Sequence, residues 1–167
     1  MIEIGKLTSM INDFTWPQLP ILTQEENFLE TIAQHQVVIL QGETGSGKTT
    51  QIPKLCMKAG LHEHGLIGCT QPRRIAALSI CDRLRQETQH PELIGAQIRF
   101  HNDCPKEMAI KVMTDGILLQ EYQKDPQLQA YSCIIIDEAT HYKNPQTKRW
   151  KTLFKLLDDK TWLWLMT

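Results

Sequence analysis

The sequence predicts an α/β domain of three layers, with a mostly parallel central sheet and helices on both faces. Three observations carry that expectation. Short apolar runs alternate with helix-like segments along the chain, the pattern of a parallel sheet built from crossover units. One run, Val37-Val38-Ile39-Leu40, leads straight into Gly42-Glu43-Thr44-Gly45-Ser46-Gly47-Lys48-Thr49-Thr50. Another, Cys133-Ile134-Ile135-Ile136, ends in Asp137-Glu138. A chain of 167 residues, 41% hydrophobic and 22% charged, fits one globular domain.

Local signals set the order of elements. Residues 1–22 read as an N-terminal extension that ends in the turn Trp16-Pro17-Gln18-Leu19-Pro20. Thr23, with Glu26 three places on, predicts a capped helix over 24–34. A strand over 37–41 and the glycine-rich loop follow, then a helix over about 48–59 closed by Gly60. Residues 66–70 read as a strand. Residues 74–88 read as a helix with Ile75, Leu78, Ile80, Cys81 and Leu84 facing inward. Strands are expected over 96–100, 109–113, 132–136 and 162–166, and helices over 115–123 and 148–157.

Composition excludes several function classes. The formal net charge of −1 gives no chain-wide attraction to nucleic acid, so any such contact needs a local patch. Five cysteines, widely spaced, odd in number and without a C-x-x-C, point to unpaired thiols in a reducing compartment, in the cytoplasm or nucleus. No apolar run approaches the ~20 residues that span a bilayer, so no membrane partner is expected. The N-terminal stripe Ile2, Ile4, Leu7, Met10, Ile11 and Phe14 is broken by charge and lacks a secretory core. His62, His64 and Cys69 fit no common zinc spacing, and the histidines read as surface residues in a loop.

The chemistry sits in two places. Residues 42–49 complete the pattern G-x-x-x-x-G-K-[ST]. Its glycines let successive N–H groups point at phosphate oxygens, Lys48 supplies a point charge, and the Thr49 hydroxyl is placed to ligate Mg²⁺. The helix expected from Lys48 adds its positive end. A functionless glycine turn is the bland alternative, and it leaves the flanking strand and helix without a reason. A buried strand ending in Asp137-Glu138 is explained if Asp137 holds Mg²⁺ through water. Glu138 would then orient and deprotonate the attacking water. The bland alternative is two acids opening a helix. The candidate nucleotide-binding residues are Gly42 through Thr50. The candidate metal set is Thr49, Asp137 and Glu138, and the catalytic pair is Glu138 and Lys48.

Four blocks then carry a family resemblance. GETGSGKTTQIPK (42–54), TQPRRIAA (70–77), MTDGILL (113–119) and IIIDEAT (134–140) resemble, in order, motifs I, Ia, Ib and II of a DEAH-box helicase of superfamily 2. IGAQIRF (94–100) resembles the link between Ia and Ib. The resemblance is to the first RecA-like domain, and it implies a RecA-like P-loop NTPase fold. It also implies ATP and Mg²⁺ as ligands and ATP-driven 3′-to-5′ translocation on, or remodelling of, RNA. It places Pro72, Arg73 and Arg74, with Thr114, Asp115 and Gly116, on the RNA side, touching backbone without reading sequence.

The resemblance further implies a helicase ATP-binding domain over 23–167 that stops before motif III, with the second RecA-like domain outside this monomeric chain. Such a chain is expected to bind nucleotide, hydrolyse it slowly and not unwind a duplex. The chain departs from the family at Thr140, where a His is usual; His141 comes one place later, and Tyr142-Lys143 replaces a Glu-Arg pair. That change falls on coupling, since Asp137 and Glu138 are intact. Two other readings are a P-loop ATPase of another class and a non-enzymatic, helicase-like interaction protein.

Overall fold

Among the described residues, seven strands form one sheet in the order β1-β7-β6-β2-β5-β3-β4. They are β1 (Val37–Leu40), β2 (Leu66–Gln71), β3 (Ile94–Ile98), β4 (His101–Asp103), β5 (Ile110–Thr114), β6 (Tyr131–Ile136) and β7 (Trp162–Met166). Every neighbouring pair is parallel except β3 and β4. The computed structural model describes residues 9–139, residue 146 and the backbone of 162–166. The helix expected over 148–157 and the motif departure at Thr140, His141, Tyr142 and Lys143 lie outside the described residues.

Among the described residues, four helices of ten residues or more flank the sheet: α1 (Glu25–Gln34), α2 (Lys48–Lys58), α3 (Arg74–Thr88) and α4 (Asp115–Lys124). Strand alternation sorts them onto two faces. Cys133 and Ile135 join the core that holds Ile52 and Leu55 of α2 and Cys81 and Leu84 of α3. Ile134 and Ile136 join Ile117 and Leu118 of α4 in the other core. The three-layer α/β architecture expected from the sequence is what forms. Gly60 closes the α2 end in the left-handed region (φ 80°), its N–H donating to Met57 O at 2.9 Å.

Several local expectations are corrected. Thr23 does not cap a helix. Pro20 starts a 3₁₀ turn, Pro20–Gln24, and the Thr23 hydroxyl donates back to Pro20 O at 2.8 Å, so α1 starts at Glu25 without a side-chain cap. The strand expected to end at Phe100 ends at Ile98. Phe100 has φ 69°, and the chain turns back there into β4, whose three exposed polar residues carry no apolar pattern. Ile75 faces solvent at 81% exposure, because it lies in the first turn of α3, ahead of the residues that pack on the sheet. His62 is no surface histidine: the 3₁₀ turn Leu61–Glu63 holds it at 9% exposure. No cluster of metal-ligating side chains occurs among the described residues.

The N-terminal residues from Ser9 onward pack onto the core, with Met10 and Phe14 buried. The Thr15 N–H donates to Glu87 O at 2.6 Å. Fully buried Lys54 donates to Thr15 O at 2.8 Å and to Glu87 Oε2 at 2.6 Å, with the Trp16 ring 4.7 Å from its Nζ. Gln51 Nε2 and Arg83 Nε also donate to the Glu87 carboxylate, at 2.8 and 2.5 Å. Burial alone raises the Glu87 pKa, but the hydrogen bonds from Lys54, Arg83 and Gln51 outweigh it and hold the carboxyl below its usual range.

Removing Lys54 leaves the buried Glu87 carboxylate without one of its two counter-charges and its only buried one. Lys54→Met is therefore expected to cost about 3 kcal/mol, read as a lower urea midpoint at unchanged slope. A midpoint equal to the parent would refute the role given to the pair.

Burial pushes the His62 imidazole below its ordinary pKa. The folded state therefore favours neutral His62, while the unfolded chain takes up its proton at about pH 6.5. The His62 contribution is complete above that pH, and is lost as pH falls until the folded-state value is passed. Between about pH 7.5 and about pH 5.5, His62→Leu is expected to lose less stability than the parent in paired urea titrations. Equal losses would count against it.

Candidate functional site

The predicted site residues all follow the carboxyl ends of parallel strands. Residues 42–50 follow β1, 72–74 follow β2, 114–116 close β5 and open α4, and 137–138 follow β6. Parallel strands bring these ends to one edge of the sheet.

At the β1 exit, Gly45 and Gly47 take φ 84° and 93°, which only glycine adopts without cost. A Cβ on Gly47 would stand 2.6 Å from Leu19 Cδ1, so this loop position has no room for a side chain either. Gly47 caps α2 without a side-chain bond, which leaves the first N–H groups of the helix facing outward. The Lys48 ammonium lies inside the loop, donating to Gly42 O at 2.7 Å, Glu43 O at 2.8 Å and Ser46 Oγ at 3.2 Å. An ammonium ringed by backbone and aimed into a glycine loop is the donor set a polyphosphate needs.

The second half arrives from β6. Thr49 Oγ1 donates to Asp137 Oδ2 at 2.8 Å, and the Glu138 N–H donates to Asp137 Oδ1 at 2.9 Å. With its hydrogen committed to Asp137, the Thr49 oxygen turns its lone pairs elsewhere, which suits a hard cation. Glu138 is exposed and held at φ 50°, an uncommon conformation for a residue with a side chain. Gly45, Gly47, Lys48, Thr49, Asp137 and Glu138 share one cavity of about 350 Å³. The residues present therefore fit a nucleotide phosphate chain with a divalent cation. Glu43 and Ser46 border the neighbouring hollow beside Pro20, Ile21 and Gln24.

On the other side of the edge, Arg73 caps α3 and Arg74 opens it, both exposed. Thr114 caps α4, and Gly116 is exposed with nothing within 4 Å of an added Cβ. Asp115 opens α4 with its side chain buried. It is 2% exposed, so its carboxylate is not presented to an outside phosphate.

Gln71 was missed by the sequence reading. It ends β2 at 4% exposure, and its Nε2 donates to Asp137 Oδ2 at 2.6 Å. The one available signal was a polar residue closing an apolar strand, the same feature that singled out Asp137.

Comparison with known proteins decides the family. Residues 23–167 match the family described as DEAD/DEAH box helicase. The chain belongs to that family. It is 49% identical over 130 residues to the ATP-dependent RNA helicase HrpA of Escherichia coli (strain K12), covering 76% of this chain and 10% of that protein. It is 47% identical over 131 residues to the ATP-dependent RNA helicase HrpA homolog of Haemophilus influenzae, covering 77% and 10%. It is 41% identical over 149 residues to the probable ATP-dependent RNA helicase DHX40 of Rattus norvegicus, covering 88% and 19%. The chain thus spans between about a tenth and a fifth of the length of these relatives.

Two glycines of this DEAD/DEAH box helicase domain separate conformational need from mere openness. Gly47→Ala combines an unfavourable φ with a clash on Leu19, and is expected to cost at least about 1 kcal/mol. Gly116→Ala, on an open helix turn, is expected to be neutral or mildly stabilising. Thermal denaturation of both variants checks this, and equal melting temperatures would refute it.

Proposed function

We propose that this chain is the nucleotide-binding part of a DEAH-box ATP-dependent RNA helicase. It would bind ATP with Mg²⁺ at residues 42–50 and Asp137-Glu138. It would hold the phosphate backbone of RNA at Pro72, Arg73 and Arg74 and at the helix start formed by Thr114, Asp115 and Gly116, and couple the two in the whole protein. The observation that carries this reading is the hydrogen bond from Thr49 to Asp137. It joins the phosphate loop to an acidic strand end 88 residues away, across one cavity.

Each residue has work it is built for. Lys48 exchanges its loop carbonyl contacts for phosphate oxygens. The outward N–H groups at the start of α2 accept the remaining negative charge. Thr49 and Asp137 would hold the divalent cation, which when bound neutralises phosphate charge. Glu138, next to Asp137 and lining the same cavity, orients the attacking water and takes its proton.

Lys48 is the one cation among the described residues that line the cavity. A further arginine at the transferring phosphoryl group is worth about 10³-fold or more in rate. We therefore propose that the chain by itself binds nucleotide and turns it over slowly, and that a second RecA-like domain completes the site. Five free cysteines support an intracellular setting, in the cytoplasm or nucleus.

Calorimetry with Mg-ADP tests the reading. The parent chain is expected to bind, and Lys48→Ala to bind at least about tenfold more weakly, the loss of a charged hydrogen-bond donor. A folded parent that binds nothing, or a Lys48→Ala variant with parental affinity, overturns it.

A further inference from the structure

Between the nucleotide side and the RNA side of the edge stands one residue. β2 lies between β6 and β5 in the sheet. On one flank Thr70 pairs with Ile136, and the Asp137 N–H reaches Thr70 O at 3.4 Å, which sets Gln71 beside Asp137. On the other flank Gln71 pairs with Thr114. Two residues on, Arg73 caps α3. Gln71 therefore touches both halves of the proposed activity through its own strand, one of its contacts being a side-chain bond to the metal carboxylate.

That bond is specific in kind. Both Thr49 Oγ1 and Gln71 Nε2 converge on the same oxygen, Asp137 Oδ2, at 2.8 and 2.6 Å. The amide must turn its nitrogen to the carboxylate, because oxygen against oxygen is repulsive. The two donors use both lone pairs of that oxygen and fix the carboxylate plane. The Glu138 N–H fixes the other oxygen. Pro72 then locks φ directly after Gln71, so little slack separates the amide from the start of α3.

Resting on the nucleotide-site reading above, we propose that Gln71 is a positioning residue that couples the two sites. It holds Asp137 in the orientation a divalent cation requires, and it ties that orientation to phosphate occupancy at Arg73 and Arg74. Outer-sphere partners of this kind orient ligating groups and govern metal affinity. The linkage runs both ways, since a cation that sharpens the Asp137 orientation also stabilises the arrangement of α3 that binds phosphate.

The test compares the parent chain with Gln71→Met, which keeps the side-chain length and removes the donor. ADP affinity is measured by calorimetry with chelator and with Mg²⁺, each with and without a single-stranded oligouridylate, and melting temperature follows folding. In the parent, Mg²⁺ strengthens ADP binding and the oligonucleotide changes that gain. In Gln71→Met the Mg²⁺ gain is expected to fall about tenfold, and the oligonucleotide no longer alters it, while ADP binding in chelator stays within about twofold. Gln71→Asn, one carbon too short for the contact, is expected to give the same pattern and serves if the methionine variant folds poorly.

A variant with the parental Mg²⁺ gain or the parental oligonucleotide effect overturns the coupling role. So does a variant that loses ADP binding in chelator as well, because that marks a merely structural residue. A parent chain that binds no ADP removes the nucleotide reading itself, a failure seen without any Gln71 variant.

Discussion

Parallel strands deliver their carboxyl ends to one edge, and every residue of the candidate site depends on that constraint. The phosphate loop, the Gln71–Arg74 segment, Thr114 and Asp137 come from four strands spread over most of the chain. They meet because β1, β6, β2 and β5 point the same way. The insertion of β7 between β1 and β6 sets the width of the cavity. Two inter-strand spacings, about 10 Å, separate the loop strand from the acidic strand. Direct pairing of β1 with β6 would halve that distance and leave no room between Lys48 and Asp137 for a phosphate chain.

The edge is only as precise as the helices that leave it. α2 begins with Lys48 and Thr49, and α3 begins beside Arg73 and Arg74, so the working residues of both helices sit in their first turns. Their mutual placement is set farther down, where Lys54 of α2 meets Glu87 near the end of α3. Such a pair costs desolvation and rarely adds net stability over a hydrophobic substitute. What it does impose is direction. Glu87 accepts from Lys54, Gln51 and Arg83, while Lys54 also needs Thr15 O. A slide of one helix along the other would break several of these bonds together, whereas an apolar contact would tolerate it.

What the sequence disclosed follows from how residue types carry information. The phosphate loop was legible because glycine, lysine and threonine at rigid spacing have few other reasons to occur together. The helix at 74–88 was legible in extent, and yet its first apolar residue, Ile75, faces solvent, since periodicity cannot say where along a helix packing begins. β4 was illegible. Three polar residues pair with β3 through backbone alone, and the turn before them rests on a left-handed Phe100 that its residue type disfavours. The burial of Asp115 was illegible for the opposite reason: acids usually sit outside, and this one is buried at a helix start. At Gln71 the one signal, a polar residue closing an apolar strand, does not name a role, because an amide becomes meaningful only through the carboxylate that the neighbouring strand sets beside it.

Two physical routes join the cation side of the edge to the phosphate side, and they differ in kind. Arginines at residues 73 and 74 repel a divalent cation through space, and a bound phosphodiester would relieve that repulsion. This route needs no contact between the groups. It is nonetheless partly exposed to solvent, and it weakens as salt rises. The Gln71 route is a contact between two groups, the amide buried, and bulk ions do not enter it. The acids and the arginines therefore gain a salt-resistant link only because an uncharged donor sits between them. A lysine at this position would bind Asp137 more strongly, but its positive charge would cancel that of the carboxylate and oppose the cation. An amide holds the carboxylate in place while leaving its negative charge for the metal.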